Sequence, residues 1–409
     1  MPELEPEGKD LPEYHVIECC GMGVVHYKLR LVSNARSEKQ HMTIFVGICA
    51  SFLILTALWD AFETVILPRR VTRRFRLSVM VARLTWRPYS ALVRRVPNSN
   101  RRETFLSFYG PLALILLLGA WALTIILGYA LLQWAFGSVF LAPNGASGFG
   151  IDLYMSGTTF FTLGLGDVVP LSAAGRITTV LEAGTGFGIL ALVIGYLPIL
   201  YQAFSRREVN ISLLDARAGS PPSAVELLRR YGQGENLAGL VTLLQSWEVW
   251  SAELMESHLS YPSLAYFRSQ HEHQSWVAAL TTILDVCALA MVGIDGIPAQ
   301  SARLTFAMAR HTAVDLSQVF DTDPATDFSR CQRPADLMQI RQVLRAAGVF
   351  LRDGPEADQK LEKLRGMYEP YVQALADRLL MPLPPWLPPP DAVDDWQTSV
   401  WQHSSPMPV

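Results

Sequence analysis

Three runs of apolar residues, each long enough to cross a bilayer, set the pattern of this chain. A hydrocarbon core of about 30 Å takes roughly 20 apolar residues as a helix, and Thr43 to Leu67, Phe105 to Phe136 and Ile177 to Phe204 all reach that length. The first run is interrupted near its end by Asp60 and Glu63, which suit an interface or a bundle partner better than lipid. The second is nearly free of charge, and the third holds one acid, Glu182. From about Ser205 the composition turns soluble. Apolar residues there recur at helical spacing through Ala224 to Leu244, Trp247 to Tyr266, Trp276 to Val292, Ala302 to Phe320, Pro334 to Leu351 and Ala357 to Leu380, separated by turn signals such as Asp353-Gly354-Pro355. Trp276 to Val292 is apolar but short and carries Asp285, so it reads as a buried core helix rather than a fourth span.

The pattern predicts an all-α membrane protein: three transmembrane helices plus a re-entrant pore helix and filter, followed by an all-helical cytoplasmic domain. Its parts are a polar N-terminal extension (1–42), a first span (43–67), an arginine-rich loop (68–104), a pore unit (105–204, with helices over 105–136 and 174–204 and the re-entrant segment over 152–170), the helical domain (205–380) and a proline-rich tail (381–409). Met42 stands directly before the first run, which marks it as a candidate start. That run is too long for a cleaved signal peptide and reads as a retained anchor.

Charge supplies the orientation. Eleven arginines lie between Arg69 and Arg102 with no acid until Glu103, and Arg206 and Arg207 follow the third run. By the positive-inside rule both arginine clusters are cytoplasmic, which puts the N-terminus and the segment between the second and third runs outside, in a cell (inner) membrane. Hydrophobic residues make up 50% of the chain and the net charge is -3, which fits a lipid bilayer as partner and no nucleic acid. The cysteines Cys19, Cys20, Cys49, Cys287 and Cys331 form neither a metal-ligand spacing nor a disulfide framework.

The chemistry sits between the second and third runs. Asp152 to Phe161 is long enough only for a short helix, and glycines at alternate positions follow it. Irregular backbone at membrane depth is tolerated only when buried in protein or lining water. Successive carbonyls can point to one side where alternate residues accept unusual backbone angles, and Gly164 and Gly166 supply these. The carbonyls of Thr162, Leu163, Gly164 and Leu165, with the Thr162 hydroxyl, can then replace the hydration shell of a potassium ion, which would be the permeating ion and not a cofactor. The preceding half-helix points its partly negative end at the same path.

Thr162-Leu-Gly-Leu-Gly-Asp167 resembles the signature Thr-x-Gly-x-Gly-Asp of the potassium channel family, of the single-pore type and bacterial in cast. The resemblance covers about residues 105–204. It implies that Asp167, Thr158 and Thr159 brace the filter and that Gly186 is a gating hinge. Pro198, which frees a backbone carbonyl, is a second candidate hinge. Gly184 and Gly188 read as small residues for close helix packing. Leu165 replaces the usual tyrosine and Phe161 a small residue, which sets strict potassium selectivity against a weakly selective cation channel. One pore segment per chain requires four copies, a homotetramer. A different class of reading is a non-conducting sensor on the same scaffold. The cytoplasmic part has no Gly-rich dinucleotide turn, no metal-ligand set and no nucleophile with a neighbouring base, so no enzyme is read from it. His271 and His273 do not share a helical face and read as solvated.

Overall fold

The computed structural model describes residues 23–67, 76–234, 237–271, 273–297, 299–326 and 334–388, with the side chains of 23–37, 39, 144 and 334–336 left aside. Arg69, Arg70, Arg73, Arg74, Cys19, Cys20, Cys331 and the tail from residue 389 lie outside these. Among the described residues nearly all structure is helical.

Helix α1 (Gly23–Ala61) contains the first apolar run and ends in a π-helical turn, Phe62–Ile66. It passes through Met42 without a break, because no proline or glycine interrupts the polar stretch after Gly23. The two acids at its end face the bundle. Asp60 accepts hydrogen bonds from the Trp121 indole (2.7 Å), the Ser78 amide (3.0 Å) and the Ser78 hydroxyl (2.9 Å). Glu63 accepts from Trp59 (2.7 Å), and Arg76 lies 3.6 and 3.5 Å from Asp60 and Glu63.

The arginine-rich stretch, expected as a loop, holds helix α2 (Leu77–Val93). Its arginines flank an apolar face that packs on later helices. Trp86 is buried, donates to the Arg378 carbonyl (3.0 Å) and stacks with Tyr109 and Tyr266 at 4.6 and 5.0 Å. Helix α3 (Ser99–Ala135) starts at Asn98, whose side chain accepts from the Arg101 amide. It runs antiparallel to α1, the two brought close at Gly128, where a Cβ would lie 2.6 Å from Ile54.

At the far end of α3 come strand β1 (Phe140–Leu141), the short helix α4 (Phe149–Phe160) and strand β2 (Val169–Pro170). The strands pair antiparallel, Phe140 opposite Pro170, and tie the exit of the re-entrant segment to the end of α3. Helix α5 (Ala173–Ala218) is capped by Ser172 and continues unbroken through Pro198. Its 46 residues make roughly 69 Å of helix, about twice a bilayer core. It therefore projects beyond the expected end near residue 204.

Helices α6 (Ala224–Gln233), α7 (Leu237–Ser260), α8 (Trp276–Gly293), α9 (Ala299–Val319), α10 (Pro334–Ala346), α11 (Pro355–Gly366) and α12 (Glu369–Leu379) form the C-terminal domain. By length and composition α8 is a fourth candidate span, yet α6, α7, α9, α11 and α12 enclose it. Its acid, Asp285, accepts from the Tyr368 hydroxyl. The core of this domain also takes in Trp86 and Val93 of α2 and Leu106 and Tyr109 of α3. The arginine-rich stretch and the domain thus lie at one end of the molecule and the re-entrant segment at the other. The start of the proline-rich tail is irregular, as its prolines require, but docked: Arg365 lies over the Trp386 ring at 5.5 Å, and Ser223 donates to the Trp386 carbonyl (2.7 Å).

His258 of α7 is fully buried in this domain. A carbonyl only accepts, so its Nδ1–H donates to Leu254 (2.9 Å) and its Nε2 accepts from Arg207 (3.4 Å), the neutral form. Burial first, and the Arg207 charge second, hold its pKa well below 6.5. The unfolded chain takes up this proton below about pH 6.5 while the folded one does not. Stability is therefore complete above that pH and falls below it by up to about 1.4 kcal/mol per pH unit. The melting temperature is expected to drop between pH 7.5 and 5.5 with a slope reduced by His258→Gln; equal slopes would refute this.

Candidate ion pathway

The pathway begins with how α4 is held. Its Ser156, fully buried, donates to the Ile126 carbonyl of α3 (2.7 Å) and lies against the Glu182 carboxyl of α5. Glu182 is thus a partner behind the re-entrant segment, facing away from its exposed loop. Tyr129 and Thr185 share a hydrogen bond of 2.9 Å, and Gln133 donates to the Gly175 carbonyl (3.2 Å). Buried polar groups satisfied in this way fix α4 between α3 and α5 in one position.

Past Phe160 the chain leaves helical geometry. The amides of Phe161, Thr162 and Leu163 bond back to the carbonyls of Gly157 (3.1 Å), Thr159 (3.0 Å) and Thr158 (2.8 Å), closing the helix end. Thr158 and Thr159 therefore engage the segment after α4 through main-chain carbonyls; the Thr158 hydroxyl is turned to Met155 of its own helix (3.0 Å). Then φ is positive at alternate residues, +56° at Thr162, +55° at Gly164 and +78° at Gly166. The glycines were legible in the sequence. Thr162 was not, since a residue with a Cβ pays roughly 1–2 kcal/mol in the left-handed region, and only the helix-end hydrogen bonds hold it there.

Asp167 at the end of the run accepts from the Tyr154 hydroxyl (2.8 Å). Sequence reasoning named the acid and missed the tyrosine, although it stands on the half-helix that leads into the filter. Residues 161–167 are exposed in the single chain, and Phe161, Leu163 and Leu165 each expose about six-tenths of their surface. At membrane depth such backbone requires protein or a water-filled path beside it.

A Cβ on Gly186 would overlap the Phe160 carbonyl, whereas Gly184 and Gly188 face open space. Gly186, the expected hinge, is thus the point of closest approach between α5 and the end of α4. Pro198 is exposed on an unbroken helix, with Tyr196 and Leu200 beside it buried.

Below Pro198 lies a junction that no sequence signal announced. The 3-10 turn Pro262–Tyr266 and its flanks wedge between α5 and α3. Tyr196 stacks on Tyr261 (5.6 Å), Phe204 on Phe267 (5.8 Å), and Leu114, Leu200 and Leu264 form one core. Arg207 closes it, donating to the carbonyls of Leu264 (2.9 Å) and Phe267 (2.8 Å) and pairing with Glu208 (2.9 Å). Among the described residues no group of three or more His, Cys, Asp or Glu side chains is arranged to hold a metal.

A family model described as "Ion channel" matches residues 113–203, the span from within α3 to the junction on α5. The chain is 22% identical over 198 residues to "Uncharacterized membrane protein YdjJ" of Bacillus subtilis (strain 168), an alignment covering 48% of this chain and 57% of that protein. This chain thus spans little more than half the length of that relative. No solved structure matches the chain. The helix, half-helix, exposed loop and helix described above coincide with the matched residues, and it is residues 113–203 of this membrane protein that are similar to the ion channel family.

Proposed function

We propose that the chain is the subunit of a potassium-selective channel in the cell (inner) membrane, four copies closing one filter. The observation that carries this reading is the alternation of positive φ at Thr162, Gly164 and Gly166 directly after a half-helix. Alternation of this kind turns successive carbonyls of residues 162–165 toward one axis, where they replace potassium's water shell. The C-terminal end of α4 adds partial negative charge there. The exposed surface of residues 161–167 is the one that three neighbouring copies would cover. Asp167 with Tyr154, and the main chain of Thr158 and Thr159, brace the filter; Gly186 and Pro198 bound the part of α5 that moves in gating.

The positive-inside rule puts the arginine-rich stretch and the C-terminal domain in the cytoplasm and the N-terminus outside. The test is ion flux into liposomes holding the purified protein. Potassium flux well above sodium flux is the expected result. Comparable fluxes would favour the weakly selective cation channel, for which the exposed Leu165 in place of a hydrogen-bonding aromatic is the supporting observation. No flux of either ion under any voltage or pH would refute both.

A further inference from the structure

A polar cavity lies away from the pore unit. Where α3 begins, just before its apolar run, the loop after Phe267 folds over the helix start and encloses this cavity of about 240 Å³. Its walls bring basic side chains together from two distant parts of the chain: Arg102 from α3, and Arg268, His271 and His273 from the loop. Arg268 donates to the carbonyls of Leu379 (2.7 Å) and Leu380 (3.0 Å), with Glu103, the one acid among the described residues of the wall, 3.6 Å away. Burial lowers the Arg268 pKa to about 10, which still leaves it charged at neutral pH.

Uncommitted donors face the same space. The amides of Ser99 and Asn100 stand in the first turn of α3, where no intrahelical acceptor exists. Ser269 is also a wall residue, but its hydroxyl is buried beneath the surface and does not open onto the cavity. Guanidinium, imidazole and amide groups converging from opposite sides suit an oxyanion with several acceptor oxygens and more than one negative charge, which a phosphate group has and a carboxylate lacks. The loop that carries Arg268, His271 and His273 continues directly from residues 261–267, the wedge that Arg207 clamps to α5. Anything that bridges the loop to Arg102 ties that wedge to the start of α3.

We propose that this cavity binds a phosphate-bearing anion and that its occupancy controls the pore through the 261–267 wedge, the second half resting on the channel reading above. The cavity lies where the apolar run of α3 begins, so an anionic lipid headgroup and a soluble phosphorylated metabolite both reach it, and the test separates them. Full-length protein in phosphatidylcholine nanodiscs is titrated with pyrophosphate by calorimetry. In parallel, its melting temperature is compared in nanodiscs with and without phosphatidic acid. The variants are Arg102→Gln and His273→Asn, the latter because asparagine tolerates the positive φ of position 273. Arg87→Gln, exposed on α2 outside the cavity, is the control.

Saturable pyrophosphate binding, weakened about tenfold or more by Arg102→Gln and unchanged by Arg87→Gln, supports a soluble ligand. Stabilisation by phosphatidic acid alone, with the same pattern across the variants, supports a lipid headgroup. Binding of neither, or equal weakening by Arg87→Gln, overturns the site and leaves only diffuse positive charge. Potassium flux in the same membranes reads the second half: binding with unchanged flux overturns the control role. Binding in a protein that never conducts would count against the channel reading while the site stands.

Discussion

Gly164→Ala is expected to abolish potassium flux while leaving the melting temperature of the protein nearly unchanged. At Gly164 φ is +55°, and an added Cβ would meet nothing within 4 Å in the single chain. The cost is therefore conformational, roughly 1–2 kcal/mol for a left-handed alanine, and it is relieved when the residue rotates back to negative φ. That rotation turns one carbonyl off the axis and breaks the alternation shared with Thr162 and Gly166. Gly186→Ala should reach the same loss by another route. Its Cβ meets the Phe160 carbonyl, a backbone atom that cannot swing aside, so the end of α4 must shift and carry Thr162 with it. Gly184→Ala and Gly188→Ala, which face open space in the single chain, are the comparison. Flux retained in Gly164→Ala would refute the filter; flux lost equally in Gly184→Ala and Gly186→Ala would refute the packing argument.

Arg207→Met is expected to give the largest loss of stability. The guanidinium is buried and bonded to Glu208 and to two carbonyls, and its removal leaves the carboxylate and both carbonyls without their donor in a closed core. Breaking a buried pair in this way costs about 3–5 kcal/mol, which for a domain of this size lowers the melting temperature by roughly 6–20 °C. Differential scanning calorimetry of the detergent-solubilised protein measures it. A shift under about 2 °C would show that Arg207 does not hold the junction. The substitution should also separate the 261–267 wedge from α5, so any control of flux from the C-terminal domain is expected to weaken with it.

Features set by neighbouring residues are legible in the amino-acid sequence alone. The three spans follow from run lengths, the half-helix and loop from the position of Gly164 and Gly166, and the acids at 60 and 63 from the penalty of charge in lipid. Even the apolar α8 is readable as core rather than span, from its shortness and Asp285. These are short-range statements, in which local spacing alone excludes the alternatives.

The tertiary structure decided what depends on partners far away in the chain. Trp86 lies in a stretch that reads as a charged loop, and only its indole meeting the Arg378 carbonyl, 292 residues on, makes that stretch part of a helical core. Arg207 reads as a topology charge after a span, yet the carbonyls of Leu264 and Phe267 draw it inside. Gly186 and its neighbours are alike in sequence, and which of them is pressed on Phe160 is set by the rotation of α5 against α4. Thr162 holds a left-handed backbone because hydrogen bonds at the end of α4 outweigh its own preference. Local pattern alone determined where the apolar spans and the glycine-spaced segment lie, because hydrophobic length and glycine spacing act between near neighbours; which charge is buried, which glycine is packed and what joins the C-terminal domain to α5 were decided by contacts between distant segments, whose energies no local pattern records.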